Sequence, residues 1–160
     1  MWRMPTRNDY LNYIRAAYAR EHGRLDVEIA RWQEQFRASA ALNALFGYSP
    51  PRWPLHMAAV AAFLYEQTGD TAYADEAADL LLRFPGWTAL LPAEAAAARP
   101  EYADGVPPLD TTFDPLIYGA ACARIRPAVD DATYARLADI AADSLRLTRE
   151  GEVFLAHCKP

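Results

Sequence analysis

The stretch PLHMAAVAAFLYEQTGDTAYADEAADLLLRFPGW, residues 54–87, decides how this chain folds. Its first half is apolar almost all the way round: from Leu55 to Tyr65 the only strongly polar residue is His56. Its second half is striped, with Tyr73, Ala77, Leu80 and Leu81 on one helical face and Asp75, Asp79 and Arg83 on the other. Pro54 suits the first turn of the first helix, where its missing N–H costs nothing. Gly69 suits the C′ position that ends that helix, and Asp70 the N-cap of the next. A helix apolar on every side expects burial on every side, whereas a one-faced helix expects one wet face. An inner helix paired with an outer one is the unit of a two-layer helical ring or solenoid.

The pattern returns in DPLIYGAACARIRPAVDDATYARLADIAADSL, residues 114–145. Matching identities puts Pro54 on Pro115, Asp70 on Asp131 and Tyr73 on Tyr134, a step of 61 residues. At the same step Leu55 meets Leu116, Ala59 meets Ala120, Ala62 meets Ala123 and Ala77 meets Ala138. Alanine matches are cheap in so Ala-rich a chain, so the proline, aspartate and tyrosine carry the repeat. The step exceeds the ~34 residues of tetratricopeptide repeats and the ~40–47 of HEAT repeats. The excess falls in a loop over 84–112, with a short helix expected near 92–98. Loops of that length inside a compact domain usually serve function or stay disordered.

Upstream, Asn8 and Asp9 read as caps of a first helix running to about Glu21, where His22-Gly23 stops it. Its apolar positions are Leu11, Ile14, Ala17 and Tyr18. A second helix is expected over about 26–45, with Leu25, Ile29, Trp32, Phe36 and Ala40 as its stripe. FGYSPPRWP then breaks the chain, since Pro50, Pro51 and Pro54 cannot continue a helix. Residues 1–160 thus read as one all-α domain of three antiparallel helical hairpins, part of an (α/α) toroid, with an irregular tail over 150–160. The helices near 54–68 and 113–126 are expected inside, those near 71–83 and 130–147 outside. Hairpins of this kind bury little without neighbours, so an unclosed edge favours self-association.

The 160 residues are 52 % hydrophobic with a net charge of −5. That charge argues against a nucleic-acid partner, which calls for a basic face. No stretch approaches ~20 consecutive apolar residues, so no membrane span is expected. The N-terminus lacks an apolar signal core, which reads as cytoplasmic, or as periplasmic or secreted if a leader is missing. Cys122 reads as a small buried hydrophobe, and Cys122 with Cys158 has neither disulfide-framework nor metal-ligand spacing. No Gly-rich phosphate loop, G-x-S-x-G or His-Glu-x-x-His is present. The acidic set Asp70, Asp75, Glu76 and Asp79 reads as a solvated helix face rather than a metal site. Neither metal nor cofactor is expected.

The hairpin TGDTAYADEAADLLL, followed by FDPLIYGAACARI and TYARLADIAADSL, resembles the N-terminal helical toroid of heparinase II/III-like polysaccharide lyases and related alginate lyases. The likeness covers roughly 48–147, and the TGD..Y element is shared with glycosidases built on six-hairpin toroids. It implies a cleft for an anionic, uronate-containing polysaccharide cleaved by β-elimination. In such lyases an Asn-Arg segment follows the outer helix, and the catalytic Tyr and His come later still. Here the chain reads TREGEVFLAHCKP, no Asn follows Asn43, and His157 lies in the tail. The resemblance therefore implies a fragment or truncated relative that contributes substrate contacts and lacks the full catalytic set. The alternative is a non-enzymatic helical-repeat scaffold that binds a protein.

β-Elimination requires a uronate carboxylate to be neutralised, a C5 proton removed and the leaving oxygen protonated. YSPPRWPLH supplies Tyr48, Arg52, Trp53 and His56 around the start of an inner helix, whose N-terminus favours anions. Trp53 and Tyr48 offer faces for sugar rings, and Arg52 a partner for a carboxylate. Asp114 and Tyr118, at the start of the next inner helix, are expected on the same rim. The packing alternatives are as concrete: Trp53 stapling the loop to the core, His56 and Tyr118 in the core, and Asp114 as an N-cap. Trp87, Tyr102 and Phe113 border the long loop, with packing beneath it the simpler role.

Overall fold

The computed structural model describes residues 4–38, 53–88, 109 and 113–150. Among them every regular element is an α-helix: α1 (Arg7–His22), α2 (Leu25–Ala38), α3 (Trp53–Thr68), α4 (Thr71–Thr88), α5 (Phe113–Ile125) and α6 (Asp131–Glu150). None is long and apolar enough to cross a membrane. Of the irregular tail expected over 150–160, Glu150 ends α6 and the rest lies outside the described residues, as do the helix over 92–98, Tyr102 and the far end of the second helix, and Trp32, Phe36, Trp87 and Phe113 beyond their backbone.

The cap of α1 is Thr6, not Asn8 or Asp9. Its hydroxyl accepts from the Asp9 N–H at 3.2 Å, while the Asp9 carboxylate accepts from the Thr6 N–H at 2.8 Å. Asp9 is the reciprocal member of a capping box, and two orphan N–H groups are satisfied at once. At the other end Gly23 keeps right-handed angles (φ −63°, ψ −13°), so the break before α2 is a slight one.

α3 is the centre of the packing, touching α1, α4 and α5, while α4 also packs on α5 and α6, and α5 on α6. Gly69 ends α3 at φ +72°, donating to the Tyr65 carbonyl at 2.7 Å, and Asp70 caps α4 by accepting from the Ala72 N–H at 3.1 Å. Both residues of that turn take the roles their chemistry suggests. α3 and α5 run side by side in the same sense: Arg124, near the end of α5, pairs with Glu66, near the end of α3, at 3.2 Å. The start of α5 meets the end of α4 through Tyr118, whose hydroxyl donates to the Leu81 carbonyl at 3.3 Å. The chain just before α5 is tied to the end of α6, where Ser144 Oγ accepts from the Leu109 N–H at 3.1 Å.

Three expectations need correction. The loop does not begin at Phe84, because α4 runs on to Thr88 through fully buried Phe84 and through Pro85. Proline is tolerated there for an identifiable reason. The helical donor to the Leu81 carbonyl would be residue 85, proline has no N–H, and the Tyr118 hydroxyl reaches that carbonyl instead.

The first pair of helices is not packed as a hairpin, since α1 lies against α3 and the described parts of α1 and α2 barely touch. Tyr18 meets Tyr73 edge-on and donates to Glu76 at 2.6 Å, and further along Asp26 pairs with Arg83 at 3.4 Å. Successive contacts rise together in both numberings, so the α1–α2 segment advances along α4 in the same direction.

The repeat step is 60 residues, not 61. α3 and α5 begin at Trp53 and Phe113, α4 and α6 at Thr71 and Asp131. The cap equivalent to Asp70 is Asp130, which accepts from the Thr133 N–H at 2.7 Å. Burial agrees: Ala58 with Tyr118, Ala61 with Ala121, Ala62 with Cys122 and Ala77 with Leu137 are all buried pairs. At 61, fully buried Leu55 is set against Leu116, which is 64 % exposed. The tyrosines do different jobs, Tyr73 packing on Tyr18 and Tyr134 lying under the Arg126 guanidinium, 4.5 Å from its ring centroid. α3 and α5 are the deeper pair and α4 and α6 the shallower. Yet α3 is not buried on every side, because His56 is exposed and Ala59, Val60 and Phe63 are half-buried on the same face.

Candidate functional site

The parallel run of α3 and α5 brings their N-terminal ends to one rim, and four of the six candidate residues fall on described elements there. Trp53 opens α3 half-buried, packed against the hydrophobic core. His56, one turn in, is exposed. Asp114 lies within the first turn of α5 rather than at its cap, and is fully buried. Tyr118, one turn further, is fully buried as well, with its hydroxyl on the Leu81 carbonyl. Tyr48 and Arg52 lie outside the described residues.

Their chemistry divides accordingly. Burial pushes the Tyr118 phenol well above its ordinary range, and nearby Cys122 pushes it the same way. A phenol held neutral and aimed at a backbone carbonyl neither takes a substrate proton nor meets a sugar, so Tyr118 serves packing. Tyr18 is raised likewise, first by burial and then by its hydrogen bond to Glu76. The Cys122 thiol is pushed up to about 11 by burial, which makes it a poor nucleophile. Of the four described candidates, His56 alone is exposed, and Trp53 is half-buried.

The acidic set on α4 is accounted for by local partners. Asp70 caps the helix, Asp79 pairs with Arg83 at 3.1 Å, Glu76 accepts from Tyr18, and Asp75 is exposed. No group of three His, Cys, Asp or Glu suited to a metal ion occurs among the described residues.

Sequence reasoning misses the surface between these residues. On α5, Leu116, Gly119, Ala120 and Ala123 recur at helical spacing and are all exposed, turned away from the side that meets α4. Their counterparts at the 60-residue step are His56, Ala59, Val60 and Phe63 of α3. Two adjacent parallel helices therefore present one apolar surface with His56 and Leu116 at its rim. Unstriped apolar helices carry that signal, but taken alone they point to complete burial. No family model, curated protein or solved structure matches the chain.

Proposed function

We propose that the chain is a helical-repeat scaffold: α3–α4 and α5–α6 act as successive hairpins of a toroid-like array, and the face of α3 and α5 away from α4 and α6 binds an apolar protein segment. The observation that carries this reading is the character of that face. Leu116 is 64 % exposed beside Ala120 and Ala123, half-buried Val60 and Phe63 lie on the neighbouring helix, and His56 is the one ionisable group at those eight positions. A surface that binds anionic sugars needs cations and hydrogen-bond donors in register with carboxylates. An apolar surface between two helices suits the ridge of a third.

A second reading, a substrate-contacting section of a uronate polysaccharide lyase, is favoured by one specific observation. The exposed His56 stands in the first turn of α3, close in sequence to Trp53, on the rim shared with the start of α5. In that reading the rim neutralises a carboxylate, and catalytic groups come from elsewhere.

Parallel titrations separate the two. The scaffold binds an apolar fluorescent probe such as anilinonaphthalene sulfonate, Leu116→Glu abolishes that signal, and oligouronates give no heat in calorimetry. Oligouronate heat that disappears in His56→Ala, with the probe signal unaffected by Leu116→Glu, would reverse the preference.

A further inference from the structure

The 60-residue repeat allows a direct comparison of the surfaces on α4 and α6. α4 buries Ala74, Ala78 and Leu81, which share one helical face, and it packs on α5 and α6, with its Leu81 carbonyl taking the Tyr118 hydroxyl of α5. The same positions on α6 are Tyr134 and Ala141, half-buried, and Ala138, exposed; Ala142 beside them is exposed too. α6 thus carries an uncovered version of the surface by which α4 receives the next pair of helices. The contact between the two repeats continues in kind into this open edge.

The other end of the array has the opposite relief. α1 and α5 both pack on α3 and do not pack substantially on each other, so α1 closes the side of α3 away from α5. Its inward face holds Leu11, Ile14 and Tyr18, and off that face stand Tyr10 and Tyr13, 61 % and 71 % exposed. Spaced three residues apart, the two rings project from one side of the helix. Tyrosine is among the residues enriched where interfaces concentrate their binding energy. The charges are complementary as well. α1 carries three arginines against two acids, whereas α6 carries four acids against three arginines.

We propose that copies of this chain associate head to tail, the Tyr10–Tyr13 face of α1 in one copy seating on the Ala138–Ala142 edge of α6 in the next. Bulky rings meet small side chains, and a net positive helix meets a net negative one. The contact joins two different surfaces, so each copy retains one free edge and the assembly either closes as a ring or grows. The association is independent of what the α3–α5 face binds.

Two charge insertions in the full chain, read by sedimentation velocity over a hundredfold range of concentration, test the arrangement. Wild type gains mass with concentration. Tyr13→Glu keeps an intact α6 edge and Ala138→Glu an intact α1 face, and each alone remains a monomer, with association at least about tenfold weaker. Mixed in equal amounts, the two form a dimer that grows no further. Circular dichroism checks that each variant is helical, with Tyr10→Glu and Ala142→Glu as replacements if either fails to fold. A wild type that stays monomeric throughout overturns the proposal. So does a Tyr13→Glu variant that associates like wild type, the outcome expected of a symmetric α6–α6 contact.

Discussion

Replacing Tyr118 with phenylalanine removes one oxygen from the junction of α4 and α5, and the effect should depend on Pro85, 33 residues earlier in the chain (118 − 85). The Tyr118 hydroxyl donates to the Leu81 carbonyl, which cannot receive a helical N–H from Pro85. Both Tyr118 and Leu81 are fully buried, so water is a poor substitute. Leaving a buried carbonyl short of a donor costs about 1–3 kcal/mol. The 3.3 Å separation is long for an O–H donor, which places the expected loss near the bottom of that range, about 1 kcal/mol. In a Pro85→Ala background the restored N–H at position 85 supplies the donor, and the same Tyr118→Phe change should cost only a few tenths of that.

Urea denaturation of wild type, both single variants and the double variant, followed by far-ultraviolet circular dichroism, measures the coupling directly. A coupling of about 0.7–1 kcal/mol is expected from this exchange of donors. A coupling indistinguishable from zero, with Tyr118→Phe costing the same in both backgrounds, would refute the account of how Pro85 is accommodated. Alkaline titration supplies a second check on the same residue. Its phenol is raised in the folded state, so the unfolded chain releases its proton first, and stability should fall as pH climbs past about 10, less steeply in Tyr118→Phe, where only Tyr18 of the two raised phenols remains.

Gly69→Ala should cost about 1 kcal/mol in a denaturant melt, from left-handed backbone strain alone, because no atom lies within 4 Å of the added Cβ; Gly69→Asn should cost less. Asp130→Ala should lower the melting temperature more than Asp131→Ala, since Asp130 is the cap of α6 while Asp131 forms only a surface pair with Arg126. The Thr133 backbone N–H and then its hydroxyl hold the Asp130 carboxyl below the ordinary aspartate value of 3.8. Its contribution is therefore present above that value and lost as pH falls below it, and a melting series from about pH 6 to 3 should show a slope that Asp130→Ala reduces, Asp9 in the α1 capping box supplying the remainder. In a Cys158→Ser background, native Cys122 should resist a thiol reagent at about pH 8: a thiol raised from 9.0 to about 11 holds about a hundredfold less thiolate. Rapid native labelling would place it at the surface instead.

The turn at Gly69-Asp70 is legible in the sequence because glycine and aspartate there answer local backbone demands that need no knowledge of the rest of the chain. The relative depth of α3 and α4 is legible for a similar reason, since one helix is striped and the other is not. The cap of α1 is harder to place, because Thr6 and Asp9 act as a pair and neither alone distinguishes itself from Asn8. Phe84 and Pro85 look like loop because a proline normally ends a helix, and the residue that lets this one continue, Tyr118, comes from another helix. The candidate site is the least legible part. An apolar helix shows which residues avoid water but not which face lacks a neighbour. Sequence alone therefore leaves Tyr118 between rim and core and sets Leu116 inside, whereas the packing buries Tyr118 and exposes Leu116.

Suppose the α5–α6 segment were replaced by a duplicate of α3–α4, as in building a longer array from its own parts. The graft succeeds or fails on a single residue of phase. Joined at a step of 60, the duplicated Asp70 arrives where Asp130 caps its helix, and the duplicated Ala77 arrives where Leu137 is fully buried. Joined at 61, as the matching prolines and tyrosines invite, every helix is turned by about 100° about its axis. Leu55 is then delivered to the exposed site of Leu116, and the Glu76 carboxylate to the fully buried site of Leu137.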